Sequence, residues 1–554
     1  MIRPTWLPGF LLITFIGTAQ DRAERYGIFE ASYQGKGRYS NPYVEVSAEA
    51  AIVRPGGERR SIPLFWDGAS QWRLRLSPDL AGKWTYTVKS NDPGLNGKTG
   101  SFICVDSKRA GGLQPIPSAP SHFQRQDGTP VWFMADTAWG YLTDSETDNH
   151  HRPQAEHYAK TRASQGFNAI HSMMLSEQGV GNQNGKPFDD MAAQKMNPGY
   201  WQEVDDRLAF ANRLGLTVGL AIAWGDKRKV EPFAWRMFPN LDARKRYARY
   251  IAARYSAYDA YFIVSGEWHA EVRTRSGVTE DEIFREFVQI GSELAASDPH
   301  DRMIAIHPMT QNGSVREFAV ASWMKFGDYQ QNYRDLHDRV LLSRYLRGPV
   351  VNAEYGYHLR DQDGDGKPDK SNSYATEDMR FASWDIVTAG GYLVTGFGTT
   401  YFGGHRDPGP FDVDATKNDE WEAQIGYIKK FFEQLTWWKL IPADQLLSAP
   451  VERSKDRTDG GVRPPVTTYC AMATPGETYL AYVRGMTAPI ELELGSRPRR
   501  FAIREFNPRT GQFRKVGEHD VSGKYTYRAP DANDWVVLLE AGAGRTPPAR
   551  IGAP

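Results

Sequence analysis

The 554-residue sequence predicts an α/β protein, a (β/α)8 barrel flanked by an N-terminal and a C-terminal β-sandwich. Three observations lead there. Short runs of alternating polar and apolar residues fill the first hundred positions. Near-continuous apolar runs then alternate with long amphipathic stretches over the middle 300. Alternation returns after position 450.

In the first unit, 24–108, the alternating runs lie at 43–48, 61–66, 71–76, 83–88 and 100–105, with Gly, Asn and Pro between them. Period-two alternation is what a sheet with one buried face requires, so this unit reads as a small β-sandwich. A connector with Pro115, Pro117 and Pro120 closes it. The middle unit, 121–441, carries eight apolar runs, at 131–135, 167–175, 217–224, 261–265, 303–307, 323–326, 349–354 and 392–397. Helical patterns at 154–164, 201–214, 241–255, 280–296, 335–346, 376–389 and 419–438 alternate with them. Apolar strands joined by crossover helices make a parallel sheet covered on both faces, and eight repeats close it into a barrel. No Gly-rich phosphate loop follows any of the strands, which argues against a doubly wound nucleotide-binding sheet. The last unit, 450–541, reads as a second sandwich, and the Pro- and Gly-rich stretch 542–554 as a tail.

Composition narrows the function. Lys plus Arg and Asp plus Glu both total 67, so the formal charge is zero, and no basic cluster is present; this argues against nucleic acid as a partner. Aromatic residues form 12% of the chain and often stand beside polar ones, which suits sugar-binding clefts as well as β-rich cores. Cys104 and Cys470 are too few for a disulfide scaffold; they are either one long-range bridge or two buried thiols, and the reading favours thiols. Arg3, an apolar stretch from Trp6 and small residues at Gly17 and Ala19 predict a signal peptide over 1–19, hence export to the periplasm or medium; a buried N-terminal helix is the alternative. No stretch is long and apolar enough for membrane insertion.

In a barrel of this kind chemistry gathers where the strands end. Reading those ends in order gives Asp136 and Trp139, His171, Trp224, then Glu267, Trp268 and His269, His307, Asp328 and Gln330, then Glu354 and Tyr355, and finally Tyr401. Glu267 ends strand four and Glu354 ends strand seven, each inside an apolar run where a charge is otherwise costly. Cleavage of a glycosidic bond needs such a pair, a carboxylic acid to protonate the leaving oxygen and a carboxylate to meet the oxocarbenium-like centre. Glu271, four residues on, competes for the acid role. The Trp and Tyr side chains suit stacking on sugar faces, and the His and Gln side chains suit hydroxyls. A non-catalytic glycan-binding or matrix-adhesion protein is the rival reading, but such a protein has no reason to keep both glutamates.

The same residues carry a family resemblance. Asp136 to Trp139, Tyr200-Trp201 with Asp205, Ala223-Trp224-Gly225, His307-Pro308, Gln330 and Asn352-Ala353-Glu354 fall in an order that resembles the apiosidase-like glycosidases of the clan A type. The resemblance spans roughly 123–440. It implies a retaining glycoside hydrolase with its acid/base after strand four, here Glu267, and its nucleophile after strand seven, here Glu354. A carbohydrate is the implied substrate, and the last sandwich is similar to collagen-binding-type modules. Two positions depart from the pattern: Ser265-Gly266-Glu267 stands where relatives carry Gly-Gly-Asp, and His358 where a second acidic residue is expected.

Asp361, Asp363, Asp365 and Asp369, with Gly366 at the sixth position, match the spacing of a calcium loop, although Asn372 replaces the closing Glu. A structural Ca²⁺ and an acidic surface turn are both consistent with this stretch. No cofactor is expected in the catalytic step.

Overall fold

The eight apolar runs of the middle segment come together in one parallel sheet. In the computed structural model, which describes residues 21–144, 151–175, 180–225, 234–309, 317–330, 336–344, 348–358, 373–396, 420–448, 469–485 and 488–542, the barrel strands are β1 (Met134–Thr137), β2 (Ala169–Met173), β3 (Thr217–Ala221), β4 (Ala260–Ile263), β5 (Ile304–Ala305), β6 (Gly327–Tyr329), β7 (Val350–Asn352) and β8 (Tyr392–Thr395). Their order is β5-β4-β3-β2-β1-β8-β7-β6. Every residue in them is buried, as a sheet sandwiched between a packed interior and a helical shell demands. Lys325 N donates to Ile304 O at 2.8 Å and so ties the approach to β6 onto β5, closing the ring.

Helices α1 (Arg152–Ser164), α2 (Pro198–Arg213), α3 (Leu241–Tyr255), α4 (Ala270–Thr274), α5 (Glu280–Ser297), α6 (Leu336–Ser343), α7 (Thr376–Thr388) and α8 (Glu420–Phe432) form the shell. Local chemistry starts several of them. Asn240 caps α3 through the Ala243 N–H, Asn197 caps α2 with Pro198 in its first turn, and Thr279 with Glu282 makes a full capping box on α5.

One strand lies later than the sequence pattern predicts. The run 323–326 is not β6, because Trp323 turns into the helical shell: its indole N–H donates to Val288 O at 3.0 Å, and its ring fills the space that a side chain at Gly291 would need. The buried strand follows at Gly327–Tyr329, and this shift brings Asp328 into the barrel wall.

A short antiparallel sheet of Leu113–Ile116, Ala119–Arg125 and Pro130–Val131 covers the N-terminal end of the barrel. Phe123 reaches Phe133 (5.1 Å between centroids) and Tyr392 (5.2 Å) there. Before it, a five-stranded and a three-stranded sheet pack around Phe29, Trp72, Trp84 and Phe102 as the N-terminal sandwich. It docks on the shell through buried ions: Arg75 pairs with Glu30 and Asp205, and Arg254 with Asp205 and Asp67. Removing one member of such a network costs about 3–5 kcal/mol, since a buried charge loses its partner.

The C-terminal unit is one hydrogen-bonded sheet that folds over itself. Its long strand Ile490–Asn507 loses register around Gly495, where φ is +85°, so that Ile490, Leu492 and Leu494 share a core with Tyr479, Phe501 and Ile503. Its other face, including Tyr482, Phe506 and Leu538, joins the barrel's own core, with Trp384 of α7 stacked on Tyr482 at 5.2 Å. Cys104 and Cys470 are both buried and form no disulfide, and Cys470 Sγ lies 2.8 Å from Thr388 Oγ1.

Candidate active site

Beyond β4 the chain keeps pairing for a few more residues. Gly266 N donates to Ala223 O and Gly225 N to Gly266 O, so Trp224 and Gly266 sit side by side as a parallel bridge. Glycine is required on both sides. A Cβ on Gly266 would lie 1.9 Å from the Trp224 ring, and one on Gly225 would lie 2.3 Å from the Glu267 carbonyl oxygen. Glu267 itself adopts φ +40°, a conformation that costs a non-glycine residue about 1–3 kcal/mol and persists only where neighbours enforce it. Its side chain is 5% exposed, and Gln330 Nε2, just after β6, donates to its Oε1 at 3.2 Å.

Glu354 follows β7 and meets His307, which follows β5. Nε2 of His307 lies 3.3 Å from Glu354 Oε2, while its Nδ1 lies 2.7 Å from Asp328 Oδ1 on β6. Burial works against a charged ring here, but the flanking carboxylates of Asp328 and Glu354 outweigh it and raise the His307 pKa to about 10. His171, on β2, behaves oppositely: burial, and then the charge of His307, push it well below the usual histidine range, so it is neutral. The two rings are 6.3 Å apart.

Trp139 and Trp224 complete the mouth. Their rings meet edge to face at 4.7 Å, Trp224 lies 5.6 Å from His307, and Trp139 donates its indole N–H to Tyr357 Oη at 3.0 Å. The arrangement therefore brings two glutamates, an amide, an imidazole and an aromatic wall to the C-terminal ends of the strands.

Several expected site residues are placed elsewhere. Asp136 is fully buried, and both its oxygens are taken: Arg162 Nε and Tyr158 Oη donate to Oδ2, and Thr395 Oγ1 to Oδ1. It ties β1 to β8 and α1 instead of offering itself to a substrate. Trp268 packs against Phe318 and Phe287 in the helical shell, and Tyr355 bonds Ser383 of α7 at 2.8 Å. Each follows its glutamate just past the end of a strand, where the turn sends the next side chain into the shell. His269 stacks on Trp268 and faces Glu317 at 3.8 Å. Glu271 is fully buried against Arg244 (2.9 Å) and Arg275 (3.6 Å), an ion pair that anchors α4 to the shell. Tyr401, Asp361, Asp363, Asp365 and Asp369 lie outside the described residues, as does the signal-peptide stretch.

Asp328, read at the end of strand six but given no role there, lies in a strand only three residues long and meets His307. Tyr357, the partner of Trp139, escapes the strand-end reading: it stands three positions beyond Glu354, and a period-two count from Glu354 misses it. A cleft of about 970 Å³ also lies between the N-terminal sandwich and α3 and α5, lined by Trp66, Lys89, Arg249 and Glu293 among others. Arg249 and Lys245 pair with Glu293 there, and the cleft is separate from the paired glutamates.

An eight-stranded parallel barrel with carboxylates just beyond β4 and β7 is an architecture that glycoside hydrolases use. The chain belongs to the Apiosidase-like family, whose catalytic-domain profile matches residues 118–439; the profile of a domain of unknown function, DUF5060, matches 22–91. No curated protein matches the chain. Among solved structures it is similar to a candidate glycoside hydrolase from Bacteroides vulgatus ATCC 8482, with 16% identity and TM-score 0.73 over 94% of this chain and 100% of that one. It is also similar to a family 5 glycoside hydrolase from the same organism, with 16% identity and TM-score 0.61 over 78% and 93% of the two chains. At these identities the likeness is one of fold.

Proposed function

We propose that the protein is an exported glycosidase that cleaves O-glycosidic bonds in plant, algal or microbial poly- or oligosaccharides by a retaining double displacement. Glu354 is the nucleophile and Glu267 the acid/base. The observation that carries this is the different company of the two carboxyls. Glu354 has the His307 imidazole 3.3 Å from Oε2, and a positive charge on that ring favours the ionised carboxylate, whereas Glu267 Oε1 accepts from the neutral amide of Gln330.

In the first step Glu267 gives its proton to the leaving oxygen as Glu354 forms a bond to the anomeric carbon. In the second, Glu267 takes a proton from water as that water displaces Glu354, and the sugar leaves with its original configuration. Trp139 and Trp224 offer ring faces or edges to the sugar, and the imidazoles and Gln330 offer polar groups to hydroxyls. Asp136, Trp268, Tyr355 and Glu271 support the walls.

The test is a panel of aryl glycosides and polysaccharides assayed with the mature chain and with Glu354→Gln. Turnover by the wild type that falls more than tenfold in the variant, with an unchanged melt, is the expected result. Binding of glycans without turnover of any panel member would favour the rival adhesion reading.

A further inference from the structure

His307 stands between two carboxylates, and that geometry constrains its protons. An ionised carboxylate only accepts hydrogen bonds, and a neutral imidazole has one N–H to give. With Asp328 Oδ1 2.7 Å from Nδ1 and Glu354 Oε2 3.3 Å from Nε2, both contacts are hydrogen bonds only if the ring carries both protons or one carboxyl is protonated. We propose that Asp328 is a positioning residue for the reaction: it holds His307 as an imidazolium whose Nε2–H is fixed on Glu354, and thereby keeps the nucleophile ionised and oriented. The inference rests on the nucleophile assignment to Glu354 for its kinetic consequence, but not for its proton count.

The surroundings favour the ring as the proton's place. His307 is fully buried, Asp328 is 1% and Glu354 8% exposed, and the elements packed around the ring bring two carboxylates, the neutral His171 and the uncharged faces of Trp139 and Trp224. The net upward shift of His307 agrees, since the carboxylates outweigh burial. The Asp328 carboxyl lies above its ordinary value, because burial and the charge of Glu354 raise it by more than His307 lowers it; the shorter contact, at Nδ1, is nonetheless the one expected of a charge-assisted pair, and it places the proton on the ring. Asp328 touches no reacting atom in this scheme. It acts through the ring, as an orienting carboxylate does in a hydrolase triad.

The experiment uses the full chain labelled with ¹⁵N-histidine, compared with Asp328→Asn and Asp328→Glu. In the wild type the His307 ring, assigned by its loss in His307→Gln, should show two N–H protons from pH 6 to pH 8.5. In Asp328→Asn one of them should be gone by pH 8, because an amide brings no charge, and Asp328→Glu should restore it. On the best substrate the acid limb of kcat/KM should move up by about one pH unit in Asp328→Asn, as a carboxylate that loses a neighbouring positive charge is easier to protonate. Its kcat should fall at least about tenfold with a smaller change in KM. Should Asp328→Asn fail to fold, His307→Gln, which keeps a donor but no charge, should move the same limb in the same direction. A wild-type ring with one N–H at pH 7, or an acid limb unmoved in both variants, overturns the proposal. A wild type that turns over no glycoside but keeps the doubly protonated ring refutes the glycosidase reading and leaves the Asp328–His307 assignment standing.

Discussion

Gln330 donates its amide to Glu267 across 3.2 Å and so joins the end of β6 to the end of β4, over the same β6 that carries Asp328 toward His307 and Glu354. One short strand thus supplies a support to each of the two glutamates, from positions two residues apart and therefore on the same face.

If Glu267 is the acid/base, Glu267→Ala should slow glycosides with poor leaving groups far more than activated aryl glycosides, whose phenolate needs little protonation. Azide should then restore turnover and give a glycosyl azide of the substrate's own configuration. Glu271→Ala should instead act on stability. It removes a partner of the buried Arg244, a cost approaching about 3 kcal/mol that Glu286 partly offsets, and its effect should appear in the melt with no azide response.

Retention itself is checked by the product. ¹H NMR at early times should show the anomer of the substrate, and the two carboxyl groups in a substrate-bound crystal structure should stand about 5–5.5 Å apart. An inverted first product would turn Glu354 into a general base.

Gly266→Ala should be among the most damaging small changes in the chain. The added methyl would meet the Trp224 ring at 1.9 Å, so the indole must move or the strand extension must open. Overpacking of this kind costs about 1–3 kcal/mol. Because Trp224 borders His307 and Gly266 precedes Glu267, kcat should fall even at temperatures where the variant stays folded.

A second buried histidine gives a pH dependence away from the site. His337 of α6 bonds the Asp385 carbonyl through Nδ1 and Asp444 through Nε2, linking the shell to the segment that leads into the C-terminal sheet. Burial lowers its pKa, but Asp444 and Asp385 together raise it above the ordinary 6.5. A raised histidine contributes stability that is fully present below about pH 6.5 and is lost as pH rises through the folded-state value. Melting temperature should therefore fall on the alkaline side of pH 6.5, and His337→Gln should flatten that part of the curve.

The acidic run from Asp361 to Asn372 is tested by chelation. If it holds Ca²⁺, EDTA should lower the melting temperature and added calcium should restore it, while Asp363→Asn with Asp365→Asn should remove the response. An equal melt with and without EDTA would leave an acidic turn.

The barrel and its two glutamates were legible in the chain because both are local matters. An apolar run bounded by turn residues declares a buried strand wherever it lies, and a carboxylate at the end of such a run, as at Glu267 and Glu354, is conspicuous at once. What the neighbours of those residues do was decided by the closed fold. Asp136 is taken by Arg162, twenty-six positions on, and by Thr395 of the adjacent β8, partners that no spacing along the chain reveals. Trp268 and Tyr355 pack against the helices, a placement decided by the turns that leave β4 and β7 and not by composition. Trp323 found a helix to cover, which moved β6 along the chain and set Asp328 against His307. The pattern of burial is written along the chain, but the pairing of charges depends on which strands close side by side.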